Sequence, residues 1–235
     1  MRIISWNCNG RFRNKFRFID DLKADILVIQ ECEDPSKSGE DYKIWAENYL
    51  WIGDSKNKGL GVFCRTEFQL APLSWDSDEL QLFLPCRIND KLNLVAVWTK
   101  KGNSKYRYIG QLWQFLQRNK SEAKRDICAF VGDFNSNACW DKKGRIWNHT
   151  QIVRELDEIG LVSGYHHILR EMQGNETTPT FYLHRNLNKP YHIDFAFVPQ
   201  SWVKNGMPKF EIGNAEQWLR LSDHLPIILD FDNSN

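Results

Sequence analysis

The sequence lacks several features that would place it in a specialised class of protein. It has no apolar stretch approaching the roughly 20 residues that a membrane-spanning helix needs. Its 6 cysteines are scattered and form no Cys-x-x-Cys pair, which excludes zinc-knuckle spacing. No internal repeat, low-complexity tract or flexible linker interrupts the chain. These absences favour one ordinary globular domain over residues 1–235, without contact to a membrane.

A strong charge of either sign is also missing. The formal net charge is +1, so no overall basic field of the kind that attracts nucleic acid surrounds the chain. A signal peptide is missing too, because Met1 leads directly into a strand-like apolar run. We therefore expect the reducing cytoplasm as the location, and no feature predicts an obligate protein partner.

Short apolar runs that end in polar residues dominate the sequence and predict buried strands. They lie at 3–6, 26–29, 61–64, 92–98, 127–131, 193–198 and 225–231. Helical periodicity predicts helices at 16–23, 109–118 and 150–159, the last capped by Thr150 and stopped by Gly160. A hairpin-like pair at 83–88 and 92–97 argues against a purely parallel sheet. We expect mixed sheets packed together with helices outside, an α/β (α+β) fold.

Acid, amide or imidazole residues border the apolar runs at five places. They are Asn7, Glu31, Asp133 with Asn135, Asp194, and Asp223 with His224. Strand ends are rigid positions from which polar groups can converge on one cleft. Carboxylate and amide oxygens without a thiolate cluster suit a hard cation such as Mg²⁺ or Mn²⁺. One histidine and several acids can activate water and stabilise the charge that develops when a phosphoester is hydrolysed.

The chain resembles the endonuclease/exonuclease/phosphatase superfamily over nearly its whole length, in five short motifs that occur in the family's order: Trp6-Asn7-Cys8-Asn9-Gly10, Ile29-Gln30-Glu31, Gly132-Asp133-Phe134-Asn135, His192-Ile193-Asp194-Phe195 and Ser222-Asp223-His224-Leu225-Pro226. The resemblance implies a DNase-like fold, which is a four-layered sandwich of two mixed β-sheets flanked by helices. It also implies a Mg²⁺-dependent hydrolase, with an exonuclease III-like enzyme as the nearest analogy.

Metal-binding roles follow from the resemblance at three positions. Glu31 is implied as the principal metal ligand, with Asn7 supporting it. Asp223 is implied both as a metal ligand and as the carboxylate paired with His224.

Catalytic roles follow in the same way. Asp133 resembles the residue that orients or deprotonates the attacking water, and Asn135 the amide that holds the scissile phosphate. Asp194 matches the acid that orients a catalytic side chain, and His224 the imidazole that contacts a phosphate oxygen. Which carboxylate acts as the base stays open.

One position departs from the family pattern. The family places a tyrosine or histidine at the end of the central strand, where this chain has Trp98. An indole donates one hydrogen bond but neither accepts nor transfers a proton. Either Trp98 donates to the phosphate, or Lys100, Tyr106 or Tyr108 has taken over that contact.

Substrate contacts are predicted more weakly for Asn9, Arg13 and His149. Arg13 lies in the stretch 11–17, which interleaves cations with aromatic residues, and Phe12 there could stack on bases if it borders the cleft. Together with basic clusters at 100–107 and 142–145, this stretch predicts a local electropositive rim on a nearly neutral chain.

These features lead to the expectation of a divalent-metal-dependent phosphodiesterase, an intracellular nuclease that hydrolyses DNA, or with less support RNA. Two alternatives stay open. One is a phosphatase or phosphodiesterase acting on a small-molecule or lipid phosphate. The other is a catalytically silent binding module that retains the fold.

Overall fold

The computed structural model of the chain describes residues 1–77, 80, 82–102, 106–204 and 208–231. Its strands are β1 Arg2–Asn7, β2 Ile26–Cys32, β3 Tyr49–Ser55, β4 Lys58–Cys64, β5 Leu70–Pro72, β6 Phe83–Ile88, β7 Leu92–Trp98, β8 Cys128–Asp133, β9 Leu161–Ser163, β10 Phe181–Tyr182, β11 Pro190–Tyr191, β12 Asp194–Pro199, β13 Lys209–Ile212 and β14 Ile227–Asp230. Its helices are α1 Phe16–Asp20, α2 Glu40–Trp45, α3 Ile109–Arg125, α4 His149–Asp157, α5 Gly164–Leu169, α6 Gln200–Lys204 and α7 Ala215–Trp218. Within the described ranges, no helix has the length and apolar character needed to span a membrane.

Two six-stranded sheets form the centre of the fold. Their strand orders are β13-β14-β1-β2-β4-β3 and β5-β6-β7-β8-β12-β9. Each sheet has one parallel pair near its middle, β1 with β2 and β7 with β8, and the other neighbouring pairs are antiparallel. Both sheets are therefore mixed, as predicted, and the hairpin of β6 and β7 is confirmed.

Alternation of side chains along the central strands produces four layers. Ile3 of β1 and Val131 of β8 lie in a core between the two sheets. Their neighbours point the opposite way, because successive strand residues face opposite sides. Ile4 packs in an outer core under α1, α2 and α7, and Phe130 packs in another under α3 and α4. The order helix, sheet, sheet, helix confirms the predicted four-layered sandwich.

The helix ends differ from the predicted ones where the loops supply partners. Helix α3 continues to Arg125, well past the predicted end at 118. Helix α4 begins at His149, so the prediction that Thr150 caps it is wrong. The Asp141 carboxylate accepts hydrogen bonds from the backbone N–H groups of His149 and Thr150, at 2.8 and 3.0 Å. A side chain from the preceding loop thus does what a local cap would do.

Candidate active site

Polar side chains from both sheets meet where the central strands end. At the end of β1, Asn7 Nδ2 donates to Asp133 Oδ2 at the end of β8 across 3.0 Å. Asp194 pairs with Asp133 in the register of β12 and β8, and its Oδ2 lies 2.9 Å from His224 Nδ1. All four side chains are buried. The structure therefore brings together the residues predicted from four of the five motifs.

The backbone around Asp133 explains why this segment reads Gly-Asp-Phe-Asn. Gly132 has φ of +150°, and a Cβ atom there would lie 1.9 Å from the carbonyl oxygen of Val97 on the neighbouring strand. Asn135 is also left-handed, with φ of +45°, and its backbone N–H donates to Asp133 Oδ1 at 2.8 Å. The turn thus folds the two side chains together.

The amide group of Asn135 is already engaged within the protein. Its Nδ2 donates to Asp133 Oδ2 at 2.9 Å and to the carbonyl oxygen of Thr99 at 3.0 Å. An amide nitrogen has two N–H groups. The predicted contact between Asn135 and the scissile phosphate therefore requires that one of these hydrogen bonds be exchanged when substrate binds.

Electrostatics divide the buried cluster into an acid that resists ionisation and a histidine that keeps its proton. Burial raises the pKa of the Asp133 carboxyl above its usual range, although the positive charge of His224 acts in the opposite direction. Burial on its own lowers the pKa of His224, but the Asp194 and Asp133 carboxylates outweigh it and raise that pKa. A carboxylate made more basic and an imidazolium at one site suit proton transfer near neutral pH.

Glu31 reaches the cleft through a β-bulge. Ile29 packs in the outer core of the first sheet, and strict alternation would turn Glu31 to the same side. The register instead shifts between Gln30 and Cys32, with φ of +65° at Glu31. Cys32 takes the outer-core position, and Glu31 lines the cleft, where Lys58 Nζ lies 2.8 Å from its Oε2. The bulge re-aims this side chain, as bulges beside active sites do.

Asp133, Asp194 and His224 could together offer ligand atoms to a metal, since these atoms lie within 4.8 Å of one another. Their atoms are nevertheless committed to each other. His224 Nδ1 is bonded to Asp194, and both oxygens of Asp133 accept N–H groups. Mg²⁺ prefers oxygen ligands at octahedral positions. This cluster is therefore better suited to handling protons than to enclosing a cation.

Oxygen donors that fit a hard cation lie beside that cluster. Glu31 follows Gln30, the register partner of Asn7, and Asp223 follows Ser222, whose Oγ donates to the Asn7 carbonyl at 2.7 Å. The backbones of Glu31 and Asp223 thus lie beside the strand end that carries the Asn7 amide oxygen. This donor set, with oxygen atoms and no thiolate, fits Mg²⁺ or Mn²⁺.

The stretch after β1 supports the site from behind instead of presenting a stacking surface. Phe12 is fully buried and packs edge-on against Tyr42 in the outer core, so the expectation that it stacks on bases is wrong. Arg13 is ion-paired with the buried carboxylate of Glu33. Asn9 is exposed, and its backbone N–H donates to Asn7 Oδ1 at 3.1 Å. Of the weaker candidates in this stretch, only Asn9 is both exposed and bonded to a site residue.

His149 lies apart from the cleft. Its ring is fully buried against Phe195 and contacts Gln173 Oε1 at 3.2 Å. A side chain enclosed in this way has no surface to offer a substrate, so the structure does not support the predicted substrate contact. Its role in this conformation is packing beneath the site.

Burial of His149 predicts a pH-dependent stability. Burial lowers the pKa of His149 to about 4, against about 6.5 in an unfolded chain. Between these values the unfolded state binds a proton that the folded state rejects, so the free energy of unfolding falls as pH falls. We expect the His149→Gln variant to lose about 2 kcal/mol less than the wild type between pH 7.5 and 5 in urea titrations. The exposed His167→Gln serves as control, and equal slopes for all three proteins would contradict the assignment.

Trp98 is placed at the cleft but hardly exposed. Only 3% of its surface is accessible, and the Nζ atoms of Lys58 and Lys100 lie 5.6 and 4.6 Å from its ring centroid. Tyr108, 42% exposed, lines the same cleft. Tyr106 stacks on Trp113 instead, with ring centroids 5.5 Å apart. Lys105, part of the predicted basic cluster, lies outside the described residues.

Two hydroxyl side chains that received no predicted role hold the site together. Ser222 Oγ donates to the Asn7 carbonyl and accepts the backbone N–H of His224 at 3.0 Å, which ties β1 to the histidine. Thr180 Oγ1 accepts the backbone N–H groups of Ile193 and Asp194, at 3.0 and 3.1 Å. Ser222 stands in one of the five motifs, whereas nothing in the local sequence marks Thr180, because its partners lie 13 and 14 residues further along the chain.

Comparison with known proteins agrees with this geometry. The model of the Endonuclease/Exonuclease/phosphatase family matches residues 4–224. The probable RNA-directed DNA polymerase from transposon BS of Drosophila melanogaster is 25% identical over 249 residues, which cover 100% of this chain and 24% of that protein. The chain thus spans about a quarter of the length of this relative.

Solved structures share the fold at low sequence identity. An AP endonuclease from Archaeoglobus fulgidus superposes with a TM-score of 0.70 at 19% identity, covering 99% of both chains. The 3' phosphatase NExo from Neisseria, solved with a product DNA hairpin, gives the same TM-score, identity and coverage. These likenesses confirm the DNase-like architecture. With the family match over nearly its whole length, this chain belongs to the Endonuclease/Exonuclease/phosphatase family.

Proposed function

We propose that this protein is a divalent-metal-dependent nuclease that hydrolyses phosphodiester bonds in DNA. One observation carries the proposal. Asn7 is hydrogen-bonded to Asp133 and His224 to Asp194, and Asp133 Oδ2 lies 4.0 Å from His224 Nε2, so these contacts join both sheets at one cleft. Unaided phosphodiester hydrolysis is among the slowest reactions, so a catalyst must lower its barrier by on the order of 20 kcal/mol. Several converging groups are needed for that, and this cleft has them.

DNA is the favoured substrate because of what the relatives are. The Archaeoglobus fulgidus protein is an AP endonuclease, the Neisseria protein was solved with a DNA hairpin, and the Drosophila relative is a probable RNA-directed DNA polymerase of a transposon. The cleft itself is cationic, with Lys58, Lys100 and Lys101 along its wall. Phosphate neutralisation by lysines dominates the affinity of proteins for DNA.

In the proposed reaction, Asp133 orients and deprotonates the attacking water. Its burial makes the carboxylate a stronger base than an exposed aspartate. Asp133 Oδ2 and His224 Nε2 are 4.0 Å apart, a gap that one oxygen atom can bridge with a hydrogen bond to each. A water or phosphate oxygen at that position would contact both groups.

His224 donates to the phosphate oxygen on which negative charge develops. Asp194 accepts the Nδ1–H, which orients the ring and points the Nε2–H toward the reacting centre. The two carboxylates that raise its pKa keep the imidazole protonated. A buried, pre-oriented donor of this kind stabilises a transition state more than it does a ground state.

A divalent cation would be held by the Glu31 and Asp223 carboxylates with the Asn7 amide oxygen. When bound, it neutralises charge on the phosphate and makes phosphorus more susceptible to attack. Lys58 currently neutralises Glu31, and with half of its side chain exposed it can leave that carboxylate at low cost.

The direct test is incubation of purified protein with end-labelled duplex, abasic-site and single-stranded DNA in Mg²⁺, Mn²⁺ or excess chelator. We expect cleavage of at least one DNA in Mg²⁺ and none in chelator. Calorimetric titration with Mg²⁺ should show binding that Glu31→Gln abolishes, while Glu67→Gln, an exposed glutamate on the surface, leaves it intact.

Two results would redirect the assignment. Phosphate release from a panel of metabolites and lipid phosphates, without turnover of DNA, would identify a phosphatase. Absence of turnover on every substrate, together with Mg²⁺ binding that does not depend on Glu31, would identify a silent binding module.

A further inference from the structure

One wall of the cleft beside the reacting groups has no role in the proposed hydrolysis. Its volume is about 430 Å³, and Trp98, Lys58, Lys100 and Tyr108 line it together with Glu31. Clefts of several hundred Å³ with a few placed polar groups are the usual size for a ligand unit such as one nucleotide.

The Trp98 ring contacts two cations and exposes little surface to a substrate. It is 3% exposed, and Lys100 Nζ stands 4.6 Å and Lys58 Nζ 5.6 Å from its centroid. Cations at such distances are attracted to the indole face. The aromatic ring thus holds two ammonium groups at the cleft, at the position where the sequence departs from the family pattern.

Both ammonium groups have carboxylate partners that a phosphate can displace. Lys100 Nζ lies 3.1 Å from Asp54 Oδ2, with the side chains 31% and 56% exposed. Lys58 pairs with Glu31 and is 53% exposed. Ion pairs this exposed contribute roughly 0–1 kcal/mol, whereas a phosphate offers several charged acceptor oxygens at once.

We propose that Lys100 and Lys58, held over the Trp98 ring, bind a backbone phosphate of the DNA next to the scissile one. This inference rests on the proposed function and names a subsite of that same cleft. In the proposed reaction the scissile phosphate has its donors in buried His224 and half-buried Asn135. Trp98 pairs with Asp133 in the strand register, so the lysines stand one strand and one indole away from the reacting centre. The lysines therefore position the strand and take no part in the bond-breaking step.

Because Asp54 competes with DNA for Lys100, the proposal predicts that substitutions of these two residues change the affinity for DNA in opposite directions. Lys100→Gln removes a phosphate contact and weakens DNA binding. Asp54→Asn removes the carboxylate that competes for the same ammonium group, and it should tighten DNA binding several-fold. A purely structural role for the Lys100–Asp54 pair would make both variants behave alike, because either one breaks the pair.

Binding is measured by fluorescence anisotropy of a labelled duplex with the full chain in chelator, across a salt series. Each phosphate contact contributes about 0.9 to the slope of log affinity against log salt. Lys100→Gln should lower the slope by about 0.9, and Lys120→Gln, a lysine ion-paired with Glu158 on the outer helices, should leave it unchanged. Trp98→Phe keeps an aromatic face, although a weaker one for cations, and has no ring N–H, so it should lose much less affinity than Lys100→Gln.

A kinetic experiment distinguishes whether Lys100 contacts a neighbouring phosphate or the scissile one. Bis(4-nitrophenyl) phosphate contains a single phosphodiester, so Lys100→Gln should impair its hydrolysis much less than that of DNA, for which KM should rise. Equal losses on both substrates would place Lys100 at the scissile phosphate and overturn the proposal. A loss of affinity in Trp98→Phe matching that of Lys100→Gln would assign the contact to the indole N–H instead. If the wild type cleaved neither substrate, the nuclease assignment would fail, and the salt series would still decide the lysine subsite.

Discussion

Replacement of Asp133 by asparagine is expected to lower the rate of DNA cleavage by about 10³-fold or more. The wild-type carboxylate accepts three N–H groups, one from Asn7 and two from Asn135. Asparagine is nearly the same size but has one oxygen and one NH₂, so at least one N–H would face another donor. The variant also loses the proposed base. The rate is measured in single-turnover cleavage with Mg²⁺.

Asp157→Asn is the matched control for this experiment. Asp157 is exposed at the end of α4, so the same chemical change there should leave cleavage at the wild-type rate. Circular dichroism and urea unfolding establish that both variants are folded. A folded Asp133→Asn protein that cleaved DNA within about tenfold of the wild type would remove Asp133 from the reaction, because a general base contributes at least about 10²-fold.

Gly132→Ala is expected to destabilise the fold strongly. The added Cβ would stand 1.9 Å from the Val97 carbonyl oxygen, which belongs to the parallel strand β7 and cannot withdraw without breaking the central ladder of its sheet. Overpacking combined with a backbone angle that alanine disfavours should cost about 4 kcal/mol or more. Urea unfolding at neutral pH measures the loss, and a variant that fails to fold on expression agrees with it.

The control for this substitution separates the clash from the backbone angle. Gly144 also has a positive φ, +79°, but a Cβ there would meet nothing within 4 Å. Gly144→Ala should therefore cost only about 1 kcal/mol, the ordinary penalty for a left-handed alanine. If the two variants lost equal stability, the close approach of β8 to β7 would not be what requires glycine.

Much of the architecture followed from local patterns in the sequence. Apolar runs such as 92–98 must be buried, so they predicted strands, and the hairpin at 83–88 and 92–97 predicted that the sheets are mixed. Polar residues directly after those runs, Asp133 among them, predicted that the site lies at the strand ends. Short motifs in the family's order then predicted which side chains share it. These inferences needed only the periodicity of apolar residues along the chain and the chemistry of the side chains.

Other features could not be predicted because they depend on partners outside the local segment, 14 and 9 residues away along the chain. Thr180 binds the backbone of Asp194, and Asp141 replaces the cap predicted at Thr150. His149 resembles an exposed residue at a helix start, yet its side chain is fully buried in the first turn of α4. Burial is set by which helix face meets a sheet, and that is decided by packing between distant segments.

By itself, the sequence determined the family, the mixed sheets and the set of candidate residues for water activation and cation binding, because residue type and strand alternation are local properties. Only the tertiary structure decided how those residues are aimed. A bulge in the pairing of β2 with β4 turns Glu31 from the outer core into the cleft. The meeting of the two sheets brings Lys58 of β4 over Trp98 of β7. Register and inter-sheet packing are non-local, since both depend on strands that are far apart in the chain.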